Sequence, residues 1–151
     1  MRVAVIGTGT LGTSIAQVFS QCDKIEKVYL CKGRESSKDG KPKIERALGK
    51  LVEKGKLSQA QIDDYLSKIE SGNLGLAVNA NLLVEAVSED LAIKQEVFEQ
   101  LDQICGSNTV FATNTSSFPI QSIGEGLSRP LIGMHFFNPA PVMKLVEVIA
   151  T

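Results

Sequence analysis

Three glycines, Gly7, Gly9 and Gly12, lie between an apolar run and a run of helical period, and they restrict the fold more than any other feature of this sequence. Val3, Ala4, Val5 and Ile6 form a short apolar block closed by glycine, the pattern of a buried parallel strand. Beyond it Leu11, Ile15, Ala16, Val18 and Phe19 recur at helical spacing and make one apolar face. The segment therefore predicts a strand, a tight turn and a helix, with glycine at each position of G-x-G-x-x-G. Gly7 permits the turn. Gly9 lets the backbone approach a pyrophosphate, and Gly12 lets the helix lie close on the strand. The helix start at Thr10 and Leu11 would present free N–H groups and a partial positive charge to phosphate. The motif in this setting predicts dinucleotide binding; a turn with no ligand leaves the three offsets unexplained.

A chain of 151 residues can bury one substantial core, so a single domain over residues 1–151 is expected. The net charge of −1 gives no reason to expect nucleic acid or a membrane surface as partner. Cys22, Cys31 and Cys105 are odd in number and widely spaced, which suits reduced thiols rather than a disulfide frame or a metal site. A first strand beginning at residue 2 leaves no room for a signal or transit peptide, and the expectation is a cytoplasmic location.

Lys27 to Cys31 predicts a second strand. A dinucleotide fold should carry Asp or Glu at its end, about 20 residues past the glycines, to accept from the adenosine ribose. Lys32 stands at that position, with Arg34 close by. These cations either receive a 2′-phosphate, as in NADP-type sites, or are solvated loop charges with Glu35 or a backbone group serving the ribose. NAD is the expected cofactor, with NADP left open by Lys32 and Arg34.

Gly33 to Pro42 reads as a loop. Ile44, Leu48, Leu51 and Val52 then recur at helical spacing, and Ser58 is placed to cap a second short helix carrying Ile62, Tyr65, Leu66 and Ile69. The lysines of this insertion, Lys50, Lys54 and Lys56, form either a solvated face or a contact for a phosphate-bearing substrate. Leu74 to Val78 predicts a short strand and Leu82 to Val87 a further one, with Glu85 inside its apolar run. Asp90 to Cys105 predicts a helix with Leu91, Val97, Phe98, Leu101 and Ile104 facing inward. Thr109 to Ala112, Leu131 to Phe137 and Leu145 to Ile149 read as strands, and Pro119 opens a turn or short helix. Alternating strands and helices imply an α/β fold of Rossmann type: a doubly wound, mostly parallel sheet, here with a helical insertion after the second strand. Ligands of such sheets lie beyond the carboxyl ends of the strands.

The one histidine, His135, falls near the end of a predicted strand on that side. Glu147 follows twelve residues later in the next apolar strand. A strand–turn–strand excursion of this length can bring the two side chains together. A carboxylate on one ring nitrogen fixes the tautomer and stabilises the imidazolium, as a general base requires. Taken alone, a single histidine reads as structural and the glutamate as an edge charge facing water. Ser116 or Ser117 either contacts a substrate oxygen or serves only the turn.

Several stretches resemble a known family. Gly7-Thr-Gly-Thr-Leu-Gly12, Val84-Glu-Ala-Val, Asn114-Thr-Ser-Ser117, Gly133-Met-His-Phe-Phe-Asn-Pro139 and Pro141-Val-Met-Lys-Leu-Val-Glu147 are similar to the cofactor-binding domain of L-3-hydroxyacyl-CoA dehydrogenases, including bacterial 3-hydroxybutyryl-CoA dehydrogenases. The resemblance implies reversible oxidation of a 3-hydroxyacyl-CoA to a 3-ketoacyl-CoA, in fatty acid or butanoate metabolism. It implies His135 as catalytic base, Glu147 as its orienting carboxylate and Ser116 as the contact to the substrate hydroxyl. It makes Gly7, Gly9, Thr10, Leu11, Gly12, Glu89, Lys94, Asn114, Ser116 and Asn138 cofactor contacts, with Lys32 at the ribose position. Lys54 matches a lysine that meets CoA phosphates. Two residues depart from the pattern: Lys32 replaces the acidic ribose ligand, and Ala47 replaces a serine that contacts CoA. The family pattern continues into a helical C-terminal domain for substrate and homodimerisation, absent from this sequence. Other readings are a non-catalytic dinucleotide-binding or crystallin-like protein, and a dehydrogenase of a hydroxy acid without CoA.

Overall fold

The computed structural model describes residues 1–151. In chain order it runs β1 (Arg2–Ile6), α1 (Thr10–Ser20), β2 (Lys27–Cys31), α2 (Lys41–Glu53), α3 (Gln59–Ser67), β3 (Ile69–Gly72), a 3-10 helix (Leu74–Asn79), β4 (Leu82–Glu85), α4 (Leu91–Ile104), β5 (Val110–Thr113), the single turn α5 (Ile120–Ile123), β6 (Leu131–Phe136) and β7 (Val146–Ile149). The strands form one seven-stranded sheet in the order β3-β2-β1-β4-β5-β6-β7. Every pairing is parallel except β6 with β7.

The strand sequences are nearly continuous in apolar residues because helices cover both faces of the sheet. Side chains alternate along β1: Val3 and Val5 join Ile15, Leu30 and Leu48 in one core, while Ala4 and Ile6 join Leu83, Phe98 and Phe111 in the other. Each fully buried Val, Leu, Ile or Phe contributes roughly 1.5–3 kcal/mol, so the two cores fix β1 at the centre of the molecule. The helical insertion is α2 and α3, with Ser58 and Gln61 closing a reciprocal capping box at the start of α3. Asp90 caps α4 by accepting from the Ile93 amide at 3.0 Å.

Two expectations are corrected. The third strand is Ile69–Gly72, and Leu74–Asn79 is a 3-10 helix. The strand escapes notice because only Ile69 of its four residues is buried, so it carries no alternation. The apolar residues that follow serve another purpose: Leu74, Leu76 and buried Ala77 pack into the core beneath the sheet. Ile104 is the second correction. It keeps the helical phase of α4, yet the helix end reaches the rim and leaves it 41% exposed.

Order reverses between β1 and β4, where neighbouring connections run to opposite sides of the sheet. This opens a crevice outside the carboxyl ends of the strands, the usual ligand position of a doubly wound fold.

Candidate active site

The first part of the crevice is built by the β1–α1 turn. Gly7 has φ +121°, a conformation that L side chains rarely adopt, and its N–H donates to the Cys31 carbonyl at 2.8 Å. A Cβ on Gly12 would collide with the Gly7 backbone, so the absence of a side chain is what lets α1 start against the turn. Gly9 is different: a Cβ there meets nothing within 4 Å and would project into open space. No side chain caps α1 at Gly9, which leaves its first N–H groups available. Gly7, Thr8, Gly9, Thr10 and Leu11 line a cavity of about 550 Å³, closed on its other sides by Arg34, Lys38, Lys43 and the β4–α4 turn. A cradle of free amides, with room where a side chain would stand, fits a pyrophosphate. We expect Gly12→Ala to cost about 1–3 kcal/mol by forcing α1 off the turn, read as a lower urea midpoint, together with loss of dinucleotide binding.

A second cavity, of about 770 Å³, adjoins the first and shares Gly33, Arg34 and Ile93 with it. Lys32, Leu74, Ile93, Val97 and Ile104 are among its lining residues. The exposure of Ile104 thus has a use, since it supplies apolar wall.

The third part, about 320 Å³, shares Leu11, Ala86 and Val87 with the first and brings together Glu89, Lys94, Asn114, Ser116, His135 and Asn138. The antiparallel register of β6 and β7 sets His135 directly opposite Glu147. His135 Nδ1 and Glu147 Oε2 are 3.0 Å apart. A carboxylate only accepts, so Nδ1 carries the hydrogen, and Nε2 has no protein partner. The Phe137 ring packs on the imidazole with centroids 4.7 Å apart. The Asn114 side-chain oxygen accepts from the Phe136 amide at 2.7 Å, tying the end of β5 to the end of β6. Ser116 lines the same cavity, with no hydrogen bond to its hydroxyl from the protein.

Beneath this floor lies a polar cluster. Glu85 at the end of β4 has no exposed surface, and Lys94 is 1% exposed. Lys94 Nζ donates to Glu85 Oε1 at 2.8 Å, and the Glu85 carboxylate also accepts from the Val87 amide at 2.7 Å and from the Thr113 hydroxyl at 2.6 Å. The same ammonium lies 3.2 Å from Glu89, which also accepts from the Thr115 hydroxyl. Burial alone would raise the Glu89 carboxyl; the Thr115 hydroxyl and then Lys94 outweigh it and hold the group below the usual carboxylate range. An ionised side chain is thus fixed at the edge of the cavity.

Most of the sequence-expected residues line one crevice; Gly12 and Glu147 line none of its cavities but sit directly against Gly7 and His135, while Lys54 stands apart. Lys54 is exposed at the C-terminal cap of α2 and lines none of the three cavities. Ser37, Lys38 and Lys43 were not singled out from the sequence, because only the return of the β2–α2 loop places them on the wall. Thr113 was also missed; a hydroxyl beneath a strand-end carboxylate leaves no periodic signal.

Fold and crevice together define a dinucleotide-binding α/β domain with a carboxylate-partnered histidine at one end of the ligand cleft. Residues 2–151 match the family model described as 3-hydroxyacyl-CoA dehydrogenase, NAD binding domain, and the chain belongs to that family. The cofactor of the family's domain is NAD. The chain is 44% identical to the 3-hydroxybutyryl-CoA dehydrogenase of Clostridioides difficile, covering 99% of this chain and 54% of that protein. It is 38% identical to the human mitochondrial hydroxyacyl-coenzyme A dehydrogenase, covering 99% of this chain and 50% of that one. Among solved structures, the (S)-3-hydroxybutyryl-CoA dehydrogenase of Ralstonia eutropha superposes with a TM-score of 0.86 at 32% identity, over 97% of this chain and 53% of that one. The chain thus spans about half the length of the curated relatives it matches. No helix is long and apolar enough to cross a membrane.

Proposed function

We propose that this chain is the dinucleotide-binding half of a 3-hydroxyacyl-CoA dehydrogenase, working on the hydroxyl-bearing carbon of a 3-hydroxyacyl-CoA or the carbonyl of its 3-keto partner. The observation that carries this reading is the His135–Glu147 pair, whose imidazole lines a cavity that shares Leu11, Ala86 and Val87 with the glycine cradle. NAD, when bound, supplies the hydride acceptor or donor. The amides of Gly9 to Gly12 and the α1 N-terminus hold its pyrophosphate. His135 Nε2 takes the hydroxyl proton during oxidation and returns it during reduction, and Glu147 orients the ring and stabilises its charged form. Ser116 donates to the same substrate oxygen. Glu89, Lys94, Asn114 and Asn138 shape the nicotinamide end, while Lys54 contacts the CoA phosphates.

Several wider features belong to the same proposal. β7 is an edge strand that exposes Val146, Val148 and Ile149, and Val142, Met143 and Leu145 before it are also exposed. Such a surface calls for cover, which we assign to a helical C-terminal domain that also forms a homodimer. Three unpaired thiols support a reducing, cytoplasmic setting. The test is oxidation of NADH or NADPH by acetoacetyl-CoA, beside free acetoacetate, with the protein in its complete natural length. The expected result is turnover of the CoA ester, with free acetoacetate at least about 10²-fold slower, because binding energy from the remote CoA moiety is used at the reacting carbon. Equal rates for the two compounds, or none with either cofactor, would overturn the proposal.

A further inference from the structure

The end of β2 does not match the rest of the dinucleotide site. β1 and β2 pair in parallel with Ile6 beside Cys31, and the Gly7 amide bonds the Cys31 carbonyl. Lys32 is therefore the first residue beyond the strand, next to the glycine turn, at the place where an acid would accept from the adenosine ribose. An ammonium has no acceptor and cannot take the hydrogens of ribose hydroxyls. Gly33 follows, and a Cβ there would lie 2.6 Å from a Val87 side-chain carbon, so the loop passes tightly against the β4–α4 turn. Arg34 then lines both the cavity of the glycine cradle and the neighbouring one, where Lys32 is also found. Ser37 and Lys38 come back onto the wall of the first cavity.

Lys32 has an acidic neighbour beyond ion-pair distance in Asp39, whose carboxyl the Ser71 hydroxyl and, more weakly, the Lys32 charge hold below the usual range. None of the chain's ion pairs uses Lys32, Arg34 or Lys38. Lys43, on the same wall, spends its ammonium on the Thr8 carbonyl at 3.0 Å. Of the nearby acids, Asp39 accepts from the Ser71 hydroxyl and the Lys41 amide, while Glu35 and Glu96 share the second cavity with Lys32 and leave the wall of the first free of carboxylates. Arg34 stands where the two cavities join, with Lys32 on the wall of the second and Ser37 and Lys38 on the wall of the first.

We propose that Lys32 and Arg34, with Ser37 and Lys38, form a subsite for a phosphate on the 2′ position of the adenosine ribose, so that this chain prefers the 2′-phosphorylated dinucleotide, NADPH, over NADH. The inference rests on the dinucleotide reading of the crevice and departs from the cofactor of the family. Guanidinium and ammonium donors give charge-assisted hydrogen bonds to phosphate oxygens, whereas the unphosphorylated ribose gains nothing from them.

Calorimetric titration of the protein at its complete natural length with NADPH, NADH, adenosine 2′,5′-bisphosphate and ADP tests it. The phosphorylated member of each pair should bind about tenfold or more tightly at 0.1 M salt, with the gap narrowing as salt rises. Lys32→Asp combined with Arg34→Ala should reverse the order for both pairs. Lys32→Ser serves should the double variant lose its thermal transition, and should shrink the preference by at least about threefold. Equal or tighter binding of NADH by the parent, or a preference unchanged in a folded variant, would overturn the subsite and leave the dinucleotide crevice standing. Binding of none of the four ligands would overturn the dinucleotide reading and the subsite with it.

Discussion

Glutamine in place of His135 lowers turnover of acetoacetyl-CoA by about 10²–10⁴-fold, the range for losing a positioned general acid–base. The replacement is close in size and its amide can still donate to Glu147, so the β6–β7 pairing survives. It offers no nitrogen that can accept and hold a proton. The Gly7–Gly12 cradle is untouched, and the loss should therefore fall on kcat, with cofactor affinity changing by less than about threefold. Glu147→Gln should give a smaller fall in the same direction, because the ring keeps a hydrogen-bonding neighbour but loses the charge that stabilises imidazolium. Steady-state kinetics of both variants, in the protein at its complete natural length, checks the assignment. Undiminished kcat in His135→Gln would remove the histidine from the reaction.

Replacing Lys94 by methionine destabilises the fold by about 3–5 kcal/mol, the cost of leaving a buried carboxylate without its cation. Glu85 has no exposed surface, so water cannot take over the role of the ammonium. The Val87 amide and Thr113 hydroxyl remain as donors but carry no full charge. For a domain of this size such a loss lowers Tm by roughly 6–20 °C. Adding Glu85→Gln to the Lys94→Met variant should restore part of the stability, since a neutral amide can still accept from one of those donors. Urea unfolding of the parent, the single and the double variant gives the comparison. A loss below about 1 kcal/mol for Lys94→Met, or no recovery in the double variant, would show that the buried pair is not what holds the β4–α4 connection. The same substitution removes the cation beside Glu89, so a structural defect and a weakened nicotinamide end should appear together.

The two predictions draw on different kinds of information. His135 and Glu147 could be paired from the sequence because a short strand–turn–strand connection allows few arrangements, and antiparallel register brings residues twelve apart face to face. The buried cluster could not be read that way. Glu85 stood out as a charge within an apolar run, but its partners Lys94 and Thr113 lie on two other elements, and no local period links the three. The misplaced third strand has a similar origin: an edge strand with one buried residue gives no pattern, while the 3-10 segment beside it is apolar for reasons of packing beneath the sheet.

The sequence by itself determined the central β1–turn–α1 unit, the alternation of strands and helices, and the cap at Ser58. These follow from local rules, since periodicity, turn chemistry and steric limits at glycine act within a few residues. Only the tertiary structure decided which cations wall the first two cavities, that Lys54 stands apart from the cavities, and that Glu85 is an anchor below the floor and no part of its surface. Those outcomes depend on where the β2–α2 loop returns and how deeply β4 is covered. Such distances are set by the packing of the whole sheet, and the residues concerned cannot specify them alone.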